Sequence, residues 1–126
     1  MIIDDNQIDR YITSRMIKKY SFGKIVLEFA AAADALAYLI ENKNNPDLLP
    51  QIIFVDIYMP MMSGFEFMEA YAELMHTLYR QPRAFIISST IDVNDISKVK
   101  MNPNIEAFHQ KPVTNEFLDS IDEIRT

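Results

Sequence analysis

The chain has 126 residues, 49% of them hydrophobic and 24% charged, with no cysteine and a formal net charge of -6. That length allows one domain, residues 1–126, with a core that needs no metal or disulfide staple, and the missing thiols exclude disulfides and fit a reducing compartment. The acidic balance disfavours nucleic acid as a partner, no apolar run approaches the roughly 18 residues of a membrane span, and Asp4 and Asp5 arrive before a signal peptide could form, so a cytoplasmic location is expected.

Met1-Ile2-Ile3 is an apolar stub that runs straight into Asp4-Asp5-Asn6. It is short against the usual five or six residues of a strand, so it reads as an abbreviated strand or as the end of one that starts upstream. From Gln7 to Tyr20 the apolar residues Ile8, Tyr11, Ile12, Met16 and Ile17 recur at helical steps. This predicts an amphipathic helix with Lys18 and Lys19 near the end that favours cations. Ser21-Phe22-Gly23 breaks it, and the segment from Lys24 to Phe29 predicts a second strand. Ala30 to Asn42 predicts an Ala-rich helix, and Asn44-Asn45-Pro46 with Pro50 marks a loop.

Ile52 to Val55 is apolar without alternation, which suits a strand covered on both faces, although periodicity alone does not separate it from a buried helical piece. Asp56 follows at once, before Ile57-Tyr58-Met59-Pro60. Gly64 to Leu78 predicts a helix with Phe65, Met68, Tyr71, Ala72, Met75 and Leu78 on one side. Ala84 to Ile87 predicts a fourth strand that closes on Ser88-Ser89-Thr90, and Asp92 to Lys100 a weak helix. Ile105 to His109 predicts a fifth strand ended by Lys111-Pro112, and Thr114 caps a last helix through Leu118, Ile121 and Ile124. Strands that alternate with helices point to βαβ units and a mostly or wholly parallel sheet, an α/β fold.

If the strands are parallel, Asp4 and Asp5, Asp56, Ser88 and Lys111 all follow strand ends on one edge of the sheet, where open α/β sheets bind their ligands. Carboxylates gathered there raise one another's pKa unless a cation intervenes. Mg²⁺ suits such a site, because it takes one or two carboxylates and accepts phosphate oxygens as further ligands. Lys111 adds a point charge suited to a phosphoryl group.

These residues carry a resemblance. Asp4-Asp5 resembles an acidic pair, Asp56-Ile57-Tyr58-Met59-Pro60 with Gly64 the signature D-x-x-M-P, Ser88-Ser89 a hydroxyl switch position and Lys111-Pro112 a K-P signature. Together and in this order the chain resembles a response-regulator receiver domain of two-component signalling. The resemblance implies a doubly wound, flavodoxin-like (CheY-like) sheet of five parallel strands in the order 2-1-3-4-5. It implies that Asp56 accepts a phosphoryl group from a histidine kinase or histidine phosphotransfer protein, with Mg²⁺ held by Asp5, Asp56 and the Tyr58 carbonyl and by Asp4 through water. Lys111 and Ser88 would bind the phosphate, and Phe108 would be the aromatic switch, without the hydroxyl of a tyrosine. Enzymatic activity would be limited to phosphorylation of the chain itself and slow hydrolysis. The output would be a change of protein contacts, with homodimerisation on activation left open. Ser63 stands where many members have Asp, and Tyr58 and Thr90 stand where members tune the lifetime of the acyl phosphate.

Two other readings compete. A Mg²⁺-dependent dehalogenase-like phosphohydrolase also uses a strand-end Asp, but it carries a second acid where Tyr58 stands. A degenerate receiver would only bind partners, and would lack one of the acids or the lysine. His76 and His109 read as ordinary helix and strand residues, and the Met59 to Met62 segment as loop packing. No effector domain is visible before Thr126, so a stand-alone regulator, a relay shuttle and an excised fragment are all compatible with the chain.

Overall fold

Apolar runs without polar alternation become strands with both faces covered. The computed structural model describes residues 1–125, with side chains as far as Ile121. Its strands are β1 (Ile2–Ile3), β2 (Glu28–Phe29), β3 (Ile52–Val55), β4 (Arg83–Ser88) and β5 (Ile105–Gln110). They alternate with α1 (Gln7–Lys19), α2 (Ala32–Glu41), α3 (Gly64–Leu74), α4 (Val93–Met101) and α5 (Asn115–Arg125). The strands form one sheet in the order β2-β1-β3-β4-β5, and every pair is parallel. This is the expected doubly wound, flavodoxin-like architecture.

Alternate residues of each strand serve opposite faces. Ile3, Ile53, Val55, Ala84 and Ile86 pack with α2, α3 and α4 through Ala35, Leu39, Phe67, Met68, Tyr71 and Val99. Ile2, Phe54, Phe85 and Ile87 face α1 and α5 through Ile17, Phe117, Leu118 and Ile121. On that second face the rings of Phe54, Phe85 and Phe117 lie 5.9–6.1 Å apart. Each buried ring of this kind contributes about 1.5–3 kcal/mol relative to exposure.

The first strand is abbreviated to Ile2 and Ile3, both with no exposed surface. Hydrogen bonds continue the ladder past its ends, from Phe54 N–H to the Met1 carbonyl (2.9 Å) and from Asp56 N–H to the Ile3 carbonyl (2.9 Å). The second strand is shorter than its sequence predicts, since only Glu28 and Phe29 of the segment from Lys24 pair, and Ile25 is 77% exposed. The cause lies in its neighbour: β2 is an edge strand, and β1 pairs only Ile2 and Ile3 with it.

The apolar side of α1 is also reassigned. Ile8, Tyr11 and Ile12 face outward, Met16 is half-buried, and the buried side carries Thr13, Ser14 and Ile17. In α3 the buried residues are Gly64, Phe67, Met68 and Tyr71, while Phe65 and Ala72 are half-buried. That helix stops at Leu74, and Met75–Thr77 continue as one 3-10 turn. Thr114 caps α5 as expected, its Oγ1 accepting Phe117 N–H at 3.1 Å, and the side chain of Ile124 lies outside the described residues.

Ser63 caps α3 through a reciprocal pair in which Glu66 N–H donates to Ser63 Oγ (3.1 Å) and Ser63 N–H donates to Glu66 Oε1 (3.0 Å). Ser63→Ala should lower unfolding free energy by about 1 kcal/mol. The urea midpoint should fall at an unchanged slope, and an unmoved midpoint would show that the cap contributes nothing.

Candidate functional site

The carboxyl ends of β1, β3, β4 and β5 meet at one edge, so the polar residues beyond them converge. Asp4 follows β1 directly and is fully buried, whereas Asp5 is exposed. Asp4 is fixed by Asn6 N–H, which donates to its Oδ1 at 2.9 Å, and by the Lys111 ammonium, which donates to its Oδ2 at 2.6 Å. Asp56 follows β3, is 7% exposed, and accepts Ile57 N–H on Oδ1 at 2.9 Å. One carboxylate oxygen from each of Asp4, Asp5 and Asp56 falls within 4.8 Å of the others.

Lys111 supplies the compensating charge. Its Nζ donates to Asp4 and to Asp9 Oδ2 (3.0 Å), and lies 3.6 Å from Asp56 Oδ1. Its main chain is held as well, because Lys111 N–H donates to the Ser88 carbonyl at 2.8 Å. Burial works to lower the Lys111 pKa, but the bonds to Asp4 and Asp9, with the charges of Asp56 and Asp4, outweigh it and raise the pKa overall. Asp56 moves up to about 6 from an ordinary 3.8. Burial is the main cause, the Lys111 charge opposes it, Asp4 adds to it, the Ile57 N–H opposes it, and Asp5 adds to it.

Ser88 is 1% exposed, and its Oγ accepts Thr90 N–H at 3.3 Å, a local strand-end contact. Phe108 is half-buried on β5 and packs against the α2–α3–α4 side of the core. It borders a cavity of about 420 Å³ between α4 and β5, together with Ile96, Val99 and Ile105. Tyr58 has a 57% exposed side chain, and its hydroxyl donates to Asp95 in the first turn of α4. That bond, then burial, then the charges of Asp95 and Asp92, push the phenol up to about 12.

Of the seven residues singled out in the sequence, Asp4, Asp5, Asp56 and Lys111 are brought together at this edge, while Tyr58 follows Asp56 in the β3–α3 loop with its hydroxyl on Asp95, Ser88 ends β4, and Phe108 lies within β5. Two others escape sequence reasoning. Asp9 holds Lys111 from the first turn of α1, and Asp95, 6% exposed, holds Tyr58. The only sequence signal for either is an acid in a first helical turn, which ordinarily means no more than dipole compensation. His109 is structural, its ring stacked on Phe117 at 4.1 Å and its pKa lowered by burial against a weaker opposing contact with the Pro112 carbonyl.

The donor set fits a hard divalent cation: carboxylate oxygens that lack a full complement of donors, and a Tyr58 carbonyl that accepts no hydrogen bond among the described residues.

A family model for the response regulator receiver domain matches residues 1–121. Among solved structures, a two-component response regulator from Cytophaga hutchinsonii superposes with a TM-score of 0.88 at 21% identity, over 98% of this chain and 92% of that one. A response regulator receiver protein from Dyadobacter fermentans DSM 18053 gives 0.83 at 29% identity, over 98% and 93%. The receiver domain of the histidine kinase CKI1 from Arabidopsis thaliana, in complex with Mg²⁺, gives 0.80 at 23% identity, over 98% and 88%. No curated protein sequence matches the chain. A family model that runs through all five strands, over a sheet whose carboxyl edge gathers three aspartates against one lysine, means that the chain belongs to the response regulator receiver domain family.

Proposed function

We propose that the protein is a phosphoacceptor switch that takes a phosphoryl group onto Asp56 from a phosphohistidine of a kinase or phosphotransfer protein. The observation that carries this is the meeting of the Asp4, Asp5 and Asp56 carboxylates within 4.8 Å, with the Lys111 ammonium 3.6 Å from Asp56. A carboxylate oxygen of Asp56 attacks phosphorus, the P–N bond breaks, and the donor imidazole leaves with its electron pair and is protonated. Asp5, Asp56 and the Tyr58 carbonyl would hold Mg²⁺, with Asp4 beyond them; when bound it neutralises charge on the transferring oxygens. Lys111 pairs with the phosphoryl group, and Ser88 turns toward it. The half-buried ring of Phe108 then reports the change to the face made by α4, β5 and α5, where a protein target or a second copy reads it.

The donor's histidine-bearing helix fits the outward stripe of α1. Ile8, Tyr11 and Ile12 are exposed there, and Ile12 lines a shallow cavity with Asp9, Lys111 and Pro112, so the apolar stripe runs into the crevice itself. Such helix-on-helix docking uses anchors at steps of three and four. The expected setting is the cytoplasm. The phosphohydrolase reading is not favoured, because the position of its second acid is held by Tyr58.

Incubation with acetyl phosphate and Mg²⁺ tests the proposal through intact mass. The wild type should gain one phosphoryl group and Asp56→Asn none. No adduct on the wild type, or the same adduct on the variant, would sink the reading.

A further inference from the structure

Tyr58 is held in an unusual way. Its neighbours in the loop are tied through their main chains: Ile57 N–H donates to Asp56 Oδ1 (2.9 Å), the Ile57 carbonyl accepts Gly64 N–H (2.8 Å), and the Pro60 carbonyl accepts Met62 N–H (2.7 Å). The main chain of Tyr58 makes no hydrogen bond among the described residues. Its ring is too exposed for packing to fix it. What anchors Tyr58 is the far end of its side chain, which crosses from the β3–α3 loop to α4 and donates to Asp95 Oδ2.

Asp95 is equally committed. It is 6% exposed, and the Tyr58 hydroxyl is the one side-chain donor it meets among the described residues. A hydrogen bond from a neutral donor to a charged acceptor is among the stronger kinds, and a buried carboxylate has much to lose without it. Moving either partner therefore pulls the other. The same residue whose carbonyl is free for a cation is thus tethered to the first turn of α4.

We propose that the Tyr58–Asp95 hydrogen bond is a latch that positions the Tyr58 carbonyl for the cation held by Asp5 and Asp56, and so couples α4 to the occupancy of the crevice. This rests on the receiver reading and deepens it. Tyr58 and Asp95 act as positioning residues, and neither side chain touches the phosphoryl group. The route differs from that through Ser88 and Phe108, since it acts when the cation binds, before any phosphoryl transfer. By reciprocity, whatever displaces α4 changes cation affinity by the same factor by which cation binding favours that displacement.

A Mg²⁺ titration of the unphosphorylated protein, followed by main-chain amide NMR shifts, tests this. In the wild type the amides of Asp5 and Asp56 and those of Asp95 to Val99 should shift together, with one apparent Kd. Tyr58→Phe removes only the hydroxyl. It should weaken Mg²⁺ about 5-fold or more, the lower end of ordinary coupling, and leave the α4 amides still while those of Asp5 and Asp56 continue to respond. Asp95→Ala should do the same, the double variant should be no weaker than either single one, and Asp95→Asn, which keeps an acceptor oxygen, should recover α4 coupling. An unchanged Kd with α4 still responding in Tyr58→Phe would overturn the latch alone. A wild type with no saturable shift at Asp5 and Asp56 would overturn the receiver reading and the latch together.

Discussion

Gly64→Ala should destabilise the protein by on the order of 3 kcal/mol or more. Gly64 opens α3 with its N–H donated to the Ile57 carbonyl at 2.8 Å, which brings the helix start against the end of β3. A Cβ there would overlap the Asp56 carbonyl oxygen and lie 3.0 Å from both the Asp56 carbonyl carbon and Ile57 Cα. Those atoms are all main chain, so none can swing aside as a side chain would. Relief requires α3 to lift, which withdraws Phe67, Met68 and Tyr71 from the core, or requires the end of β3 to shift and carry Asp56 with it. Either response should appear as a lowered urea midpoint, with Ser63→Ala next door as the mild comparison. A Gly64→Ala unfolding free energy within about 0.5 kcal/mol of wild type, the ordinary range for surface changes, would disprove the close approach.

Asp56→Asn should stabilise the protein in the absence of divalent cations, and only above mildly acidic pH. The folded-state pKa of Asp56, about 6, lies above the ordinary 3.8 of the unfolded chain. Its neutral form therefore contributes stability that is fully present below the unfolded value and is lost as pH rises through the folded one. The groups facing it decide the sign: burial, Asp4 and Asp5 push up, and Lys111 and the Ile57 N–H pull down without prevailing. The whole difference corresponds to about 3 kcal/mol, and water at the crevice screens it to about 1–2 kcal/mol. An amide does not ionise, so the variant should exceed wild type by that amount at pH 7.5 and match it near pH 4. Added Mg²⁺ should close the gap at pH 7.5 by favouring the carboxylate. A variant that is less stable than wild type by the same amount at both pH values would refute the argument.

The acids, the hydroxyl and the lysine of the crevice were legible in the sequence for one physical reason. Each follows or ends a predicted strand, and parallel strands bring the residues at their carboxyl ends to a common edge. Asp56 was the clearest, because a charge that ends a fully apolar segment has few bland explanations. Asp9 and Asp95 were not legible, since the feature that separates them from ordinary dipole-compensating acids is the group packed opposite, Lys111 in one case and Tyr58 in the other. The stripe of Ile8, Tyr11 and Ile12 shows a related limit. Periodicity reports that a helix has an apolar side, not which body covers it, and here the sheet takes the small polar side with Thr13, Ser14 and Ile17. The second strand failed through its partner: the segment from Lys24 has strand character, but β1 pairs only Ile2 and Ile3 with it.

Lys111 grips Asp4 and Asp9 more closely than it approaches Asp56. It thus acts as a counter-ion carried by the chain itself, held by Asp4 and Asp9 and only partly offsetting the charge of Asp56. On the receiver reading, a divalent cation would have to compete with this tethered ammonium, so its affinity would reflect an exchange and not a simple filling of empty space. On the receiver reading the exchange is useful, because the ammonium given up by the acids is the one the incoming phosphoryl group needs. On that reading, charge in the crevice would be handed from one partner to the next.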